Sequence, residues 1–81
     1  MIVLEKKSKK KRDELIKKAK SFFGPGGEGL AISSESDCCI AFVGGGGHVT
    51  VTLSEENSNY TRIKLESREW DYQVKKFLET L

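Results

Sequence analysis

The stretch CCIAFVGGGGHVTVTL, residues 38–53, decides the fold. Four consecutive glycines, Gly44 to Gly47, separate two runs of β-branched, aromatic and small residues, the pattern of a hairpin with glycines at its turn. A turn centred there pairs Cys38 with Leu53, Ile40 with Val51 and Phe42 with Val49. Side chains alternate between the two faces of a strand, so this register places every large apolar residue on one face. The opposite face then carries Cys39 with Thr52, Ala41 with Thr50 and Val43 with His48. A slip of one residue would scramble both faces, so the pattern specifies its own register.

Downstream, Glu55 to Asn59 is rich in turn formers and reads as a loop, and Tyr60 to Glu66 reads as a third strand with Thr61, Ile63 and Leu65 on one side. Pairing Val51 with Ile63 and Val49 with Leu65 keeps the apolar face continuous. It sets Arg62 beside Thr52 and Lys64 beside Thr50, and brings Glu66 into the row of Val43 and His48. Ser67 stands where a helix N-cap belongs, and Trp70, Val74, Phe77, Leu78 and Leu81 form the stripe of a closing helix with Asp71 in its first turn.

Upstream, Leu30 to Ser33 alternates as a short strand ended by a turn at residues 34–37, and Gly24 to Gly29 is a connector. Before it, Leu15, Ile16, Ala19, Phe22 and Phe23 share one face of a helix. Gly24, in the left-handed conformation, and Pro25 are expected to stop that helix, with Asp13 or Ser8 as its N-cap. Met1 to Leu4 is either a short edge strand or part of an arm. The expected architecture is α+β: a two-layer domain with an antiparallel three- or four-stranded sheet and two helices on one face, in the order (β)-α-β-β-β-α. Residues 1–81 form a single domain, with 1–12 a basic arm or short edge strand.

The composition, 37% hydrophobic and 32% charged over 81 residues, suits a small folded domain. The longest apolar run, Cys38 to Val43, is far shorter than the roughly 20 residues that span a bilayer, so no membrane contact and a cytoplasmic location are expected. Cys38 and Cys39 point to opposite faces of a strand, and bonds between adjacent cysteines are rare. Both are read as reduced thiols, Cys38 in the core and Cys39 on the polar face.

Charge is unevenly spread. Residues 1–20 carry nine basic side chains against three acidic ones, and the remainder is net acidic. Lys6, Lys7, Lys9, Lys10, Lys11 and Arg12 form a tract able to neutralise phosphates, or simply a solvated surface. No apolar residue lies between Glu5 and Glu14, so the tract is expected to contribute nothing to the core.

Neither glycine cluster has the strand-to-helix setting of a phosphate-binding loop. Cys38, Cys39 and His48 diverge too far for a structural metal site, which wants four ligands. His48 lacks an orienting partner and a nucleophile. No catalytic residue, cofactor or metal is therefore expected. The second face, with Cys39, Ala41, Val43, Thr50 and Thr52, is small and partly apolar, which suits close approach of a homodimer mate or another protein. These features point to a non-catalytic binding or protein-interaction module, with a small nucleic-acid-binding protein using the N-terminal tract as the alternative.

Overall fold

A computed structural model of the chain describes residues 2–57 and 59–81. The element order is β1 (Ile2–Ser8), α1 (Arg12–Phe23), β2 (Ala31–Glu35), β3 (Cys39–Gly44), β4 (Gly47–Asn57), β5 (Tyr60–Arg68) and α2 (Asp71–Glu79). The strands form one antiparallel sheet in the spatial order β1-β5-β4-β3-β2. The α+β class agrees with the sequence reading, but the sheet has five strands where three or four were expected.

The central hairpin has the register read from residues 38–53: Ile40 pairs with Val51, Phe42 with Val49 and Val43 with His48. Gly45 and Gly46 both have positive φ, +56° and +81°, as a two-residue turn matched to strand twist requires. Trp70 explains why Gly45 also has no side chain. Its indole lies over Gly45, where an added Cβ would come within 2.8 Å of the ring, and its Nε1 donates to the Gly44 carbonyl at 2.9 Å.

β4 and β5 pair two residues out of the expected register, Val51 with Leu65 and Leu53 with Ile63. The strands run on through most of the expected loop at 55–59, of which Ser58 lies outside the described residues. A displacement of two preserves the face of every side chain, so the apolar layer is unchanged while the neighbours across it differ. Thr52 now faces Lys64, Thr50 faces Glu66, and His48 faces Arg68 in place of Glu66.

The edge strand β1 is longer than Met1 to Leu4, of which Met1 lies outside the described residues. It pairs with β5 from Ile2↔Ser67 to Ser8↔Thr61. Lys6 and Lys7 of the basic tract are thus part of the sheet. Neither Asp13 nor Ser8 caps α1. Lys11 occupies the N-cap position without a side-chain hydrogen bond, and the Ser8 hydroxyl instead accepts from the Lys10 N–H at 3.2 Å.

The far end of α1 also differs from expectation, because Gly24 is extended (φ −73°, ψ −169°) and not left-handed. The chain wraps the helix end instead: the Glu28 and Leu30 N–H groups donate to the Phe22 and Phe23 carbonyls, each at 2.9 Å. Orphan carbonyls are satisfied in this way. Gly27 makes the wrap feasible, since a Cβ there would run into the carbonyls of Ser21 and Phe22. Ser67, expected as the N-cap of α2, is fully buried within β5, and Trp70 holds the N-cap position.

Both helices cover the same side of the sheet. Leu15, Ala19 and Phe23 of α1 and Val74 and Phe77 of α2 are buried with Ile40, Phe42, Val49, Val51, Leu53, Ile63 and Leu65. Phe23 joins the layers, its ring centroid 5.5 Å from Phe42 and 5.2 Å from Phe77. Contacts at these separations add to the burial of the rings.

Cys38 and Cys39 are joined by a disulfide, which corrects the reading of two free thiols. Adjacent strand residues point apart, so the bond holds Cys38 outside β3, which starts at Cys39. Cys38 is half-buried and does not belong to the core.

Candidate functional site

Strand alternation divides the basic tract. Lys6 falls on the helix side of β1, and its ammonium donates to the Leu78 and Leu81 carbonyls at 2.9 and 3.1 Å, closing the end of α2. A cation at that terminus also complements the helix dipole. Arg12 turns towards β4 and pairs with Glu55 at 3.1 Å. These two members of the tract serve the fold. Lys7 points to the other side of β1, where its ammonium sits 4.8 Å from the centre of the Tyr60 ring, within cation–π range.

Lys9, Lys10 and Lys11 form the link from β1 to α1, and two hydroxyls hold that link. The Lys10 N–H donates to Ser8 Oγ, and the Lys10 carbonyl accepts from Thr61 Oγ1 at 3.1 Å. Ser8 and Thr61 are both buried, so the turn is anchored to the body of the sheet on both sides of Lys10. Lys9, Lys10 and Lys11, with Glu55, Asn59, Tyr60 and Thr61, line a hollow of about 320 Å³. Asn59, Tyr60 and Thr61 come from the end of the β4–β5 hairpin, distant in sequence but adjacent because β5 pairs with β1.

The electrostatics of this corner favour an anion. The positive end of α1 adds to three ammonium groups, and Lys11, a donor, cannot cap the first N–H groups of the helix. Of the described carboxylates nearby, Glu55 is engaged by Arg12, and Asp13 and Glu14 lie in the first helical turn. A larger hollow of about 450 Å³ lies between the helices, with Glu14, Lys17 and Lys18 at its rim beside Phe22 and Phe77. Its charges are mixed and do not converge.

No family model, no curated protein and no solved structure matches this chain.

The second surface is the side of the sheet that the helices leave uncovered. It brings together Cys39, Ala41, Val43, Thr50 and Thr52 as adjacent positions on β3 and β4. Val43 is 43% exposed and the other four are half-buried. Towards β5 and β1 the face becomes charged, with Arg62 3.7 Å from Glu5 and Lys64 3.7 Å from Glu66. His48 stands at its rim opposite Val43, and the disulfide lies at the Cys39 end. Among the described residues no three His, Cys, Asp or Glu side chains gather as a metal site, and no helix is long and apolar enough to cross a membrane.

Thr61 and Asn59 are the site residues that the sequence reading did not connect to the tract. Tyr60 was legible only as the first residue of the third strand. The signal that would have joined them is the β1–β5 pairing, which rests on the two apolar residues Ile2 and Leu4.

Proposed function

We propose that the chain is a non-catalytic binding module that takes a phosphate-bearing polyanion, a single nucleic-acid strand in particular, at the corner formed by Lys7, Lys9, Lys10, Lys11 and Tyr60. The observation that carries this reading is the anchored turn: two buried hydroxyls fix the Lys10 backbone, so three consecutive lysines surround one hollow without a further loss of backbone freedom on binding. Ammonium groups at fixed spacing neutralise phosphates, and the Tyr60 ring gives a base a surface to stack on. Titration of a fluorescent single-stranded oligonucleotide tests it. The wild-type chain is expected to bind with a Kd of roughly 10⁻⁴–10⁻⁶ M near physiological salt, as nonspecific phosphate contacts give, and Lys7, Lys9, Lys10 and Lys11 changed together to Gln should weaken that by more than about tenfold. Equal binding by the two proteins would exclude the corner.

Lys11→Asp separates binding from stability. The backbone at Lys11 (φ −77°, ψ 160°) already has the extended geometry of an N-cap. An aspartate there accepts from the helix N–H groups and complements the dipole, so the domain should gain about 1 kcal/mol while oligonucleotide affinity falls. Urea denaturation and the same titration read the two effects; a loss of stability would show that Lys11 supports the fold.

A second reading, a protein contact through the uncovered face, is favoured by the small side chains of Cys39, Ala41 and Val43. A solvated face ordinarily carries long polar groups, as Lys64 and Glu66 are on β5. If two copies meet there, Ala41→Arg strikes the contact twice and should shift sedimentation from dimer to monomer with the circular dichroism unchanged. A wild-type chain that sediments as a monomer at high concentration would exclude self-association.

A further inference from the structure

The Cys38–Cys39 disulfide, at one end of the uncovered face, is a reactive bond that neither proposed contact uses. It sits between the turn at residues 36–38 and the first residue of β3, and both cysteines are half-buried. Backbone hydrogen bonds fix its surroundings: the Ser36 N–H donates to the Cys39 carbonyl at 2.8 Å, and the Leu53 N–H to the Cys38 carbonyl at 2.7 Å. Cys39 belongs to the face that the helices leave uncovered, beside Thr52. The Ser36 hydroxyl lies 3.6 Å from Cys38 Sγ and, in the disulfide, is the donor of that contact.

We propose that Cys38 and Cys39 form a thiol–disulfide exchange site, with a low-molecular-mass thiol as its reductant and the corresponding disulfide as its oxidant. An incoming thiolate attacks Cys39 Sγ from the uncovered face; the new bond joins the thiol to Cys39, the Cys38–Cys39 bond breaks, and its electron pair leaves on Cys38 Sγ. Ser36 Oγ–H donates to that sulfur as it becomes a thiolate, while Asp37, next in the turn, opposes it. A second thiolate attacks the sulfur of the bound thiol and releases the symmetrical disulfide. Two thiols are consumed, one small-molecule disulfide is formed, and both cysteines end as thiols after protonation.

The exchange also moves the end of a strand. Without the bond, Cys38 is free to take its place in β3 opposite Leu53, with its side chain on the helix side and that of Cys39 on the uncovered side. The Leu53-to-Cys38 backbone bond is already in place, so β3 grows by one residue on reduction without a change of register. The redox state then sets the shape of the turn at 36–38 and leaves the core as it is.

The test uses the intact wild-type chain, equilibrated natively with reduced or oxidised glutathione, quenched in acid and alkylated with a maleimide under denaturing conditions. Mass spectrometry is expected to find two maleimides per chain after the reduced buffer and none after the oxidised one. Two maleimides in both buffers, or none until the chain is unfolded, would overturn the proposal. Direction is read from single variants: Cys38→Ser should acquire glutathione at Cys39 faster than Cys39→Ser does at Cys38. The reverse order would overturn the assignment of Cys39 as the attacked sulfur. Amide resonances of residues 36–40 should shift on reduction while those of Val74 and Phe77 do not; shifts spread through the core would contradict the local strand-end change.

Discussion

Val51→Asp is expected to abolish the folded state, whereas Thr50→Asp, one residue away, is expected to leave it intact. Val51 is 1% exposed and lies between Leu65 and Ile40 in the apolar layer that the helices cover. A charge buried there costs more than about 4 kcal/mol, against a total stability of roughly 4–12 kcal/mol for a chain of this length. Thr50 points to the uncovered side of the same strand, between Ala41 and Glu66. The nearby Glu66 makes its replacement by Asp mildly unfavourable and nothing more. Circular dichroism and thermal melting distinguish the two variants. Equal damage from both would show that the second face is buried and that the two-layer architecture is incomplete.

Phe77→Ala is expected to lose about 3–5 kcal/mol, the usual cost of deleting a buried aromatic ring. Phe77 is the main anchor of α2: it is 2% exposed, with ring centroids 5.3 Å from Phe22 and 5.2 Å from Phe23. Removing it opens a cavity where α2 meets α1 and leaves Val74 as the one fully buried side chain of the helix. Leu78→Ala, at a half-buried position on the same helix, should cost distinctly less. Urea denaturation reads both. A Phe77→Ala chain within about 1 kcal/mol of the wild type would mean that α2 is not held by this contact.

The legible part of the fold was the part with strong periodicity. Four glycines and two alternating runs specified the β3–β4 register from Cys39↔Thr52 to Val43↔His48, though not the Cys38–Leu53 pair, because any slip by one would have put Ile40 and Val51 in water. The β4–β5 register was displaced by two because the polar residues after Leu53 read as loop while the backbone continued in the sheet. Two residues is the strand period, so the core list survived the error. β1 was the least legible strand. Its inward positions run Ile2, Leu4, Lys6 and Ser8, an apolar pattern that ends halfway, because Lys6 extends its stem along the sheet to reach the end of α2.

The candidate site was legible as charge and illegible as geometry. A run of lysines shows that a cation cluster exists, but strand alternation and two hydrogen bonds decide which members of it are free for a partner. Lys6 and Arg12 are taken by α2 and Glu55; Lys9, Lys10 and Lys11 surround the hollow. The cysteine pair was misread for a related reason. Alternation was extended back to Cys38, although β3 begins at Cys39.

The most direct measurement of the central claim is the salt dependence of oligonucleotide binding by the wild-type chain and by the variant with Lys7, Lys9, Lys10 and Lys11 changed to Gln. Four ammonium groups on a single strand release condensed counterions, so the logarithm of the binding constant should fall against that of the salt concentration with a slope of about −3, and the variant's slope should approach zero. Binding that is independent of salt, or a variant with the slope of the wild type, would contradict a polyanion site at this corner.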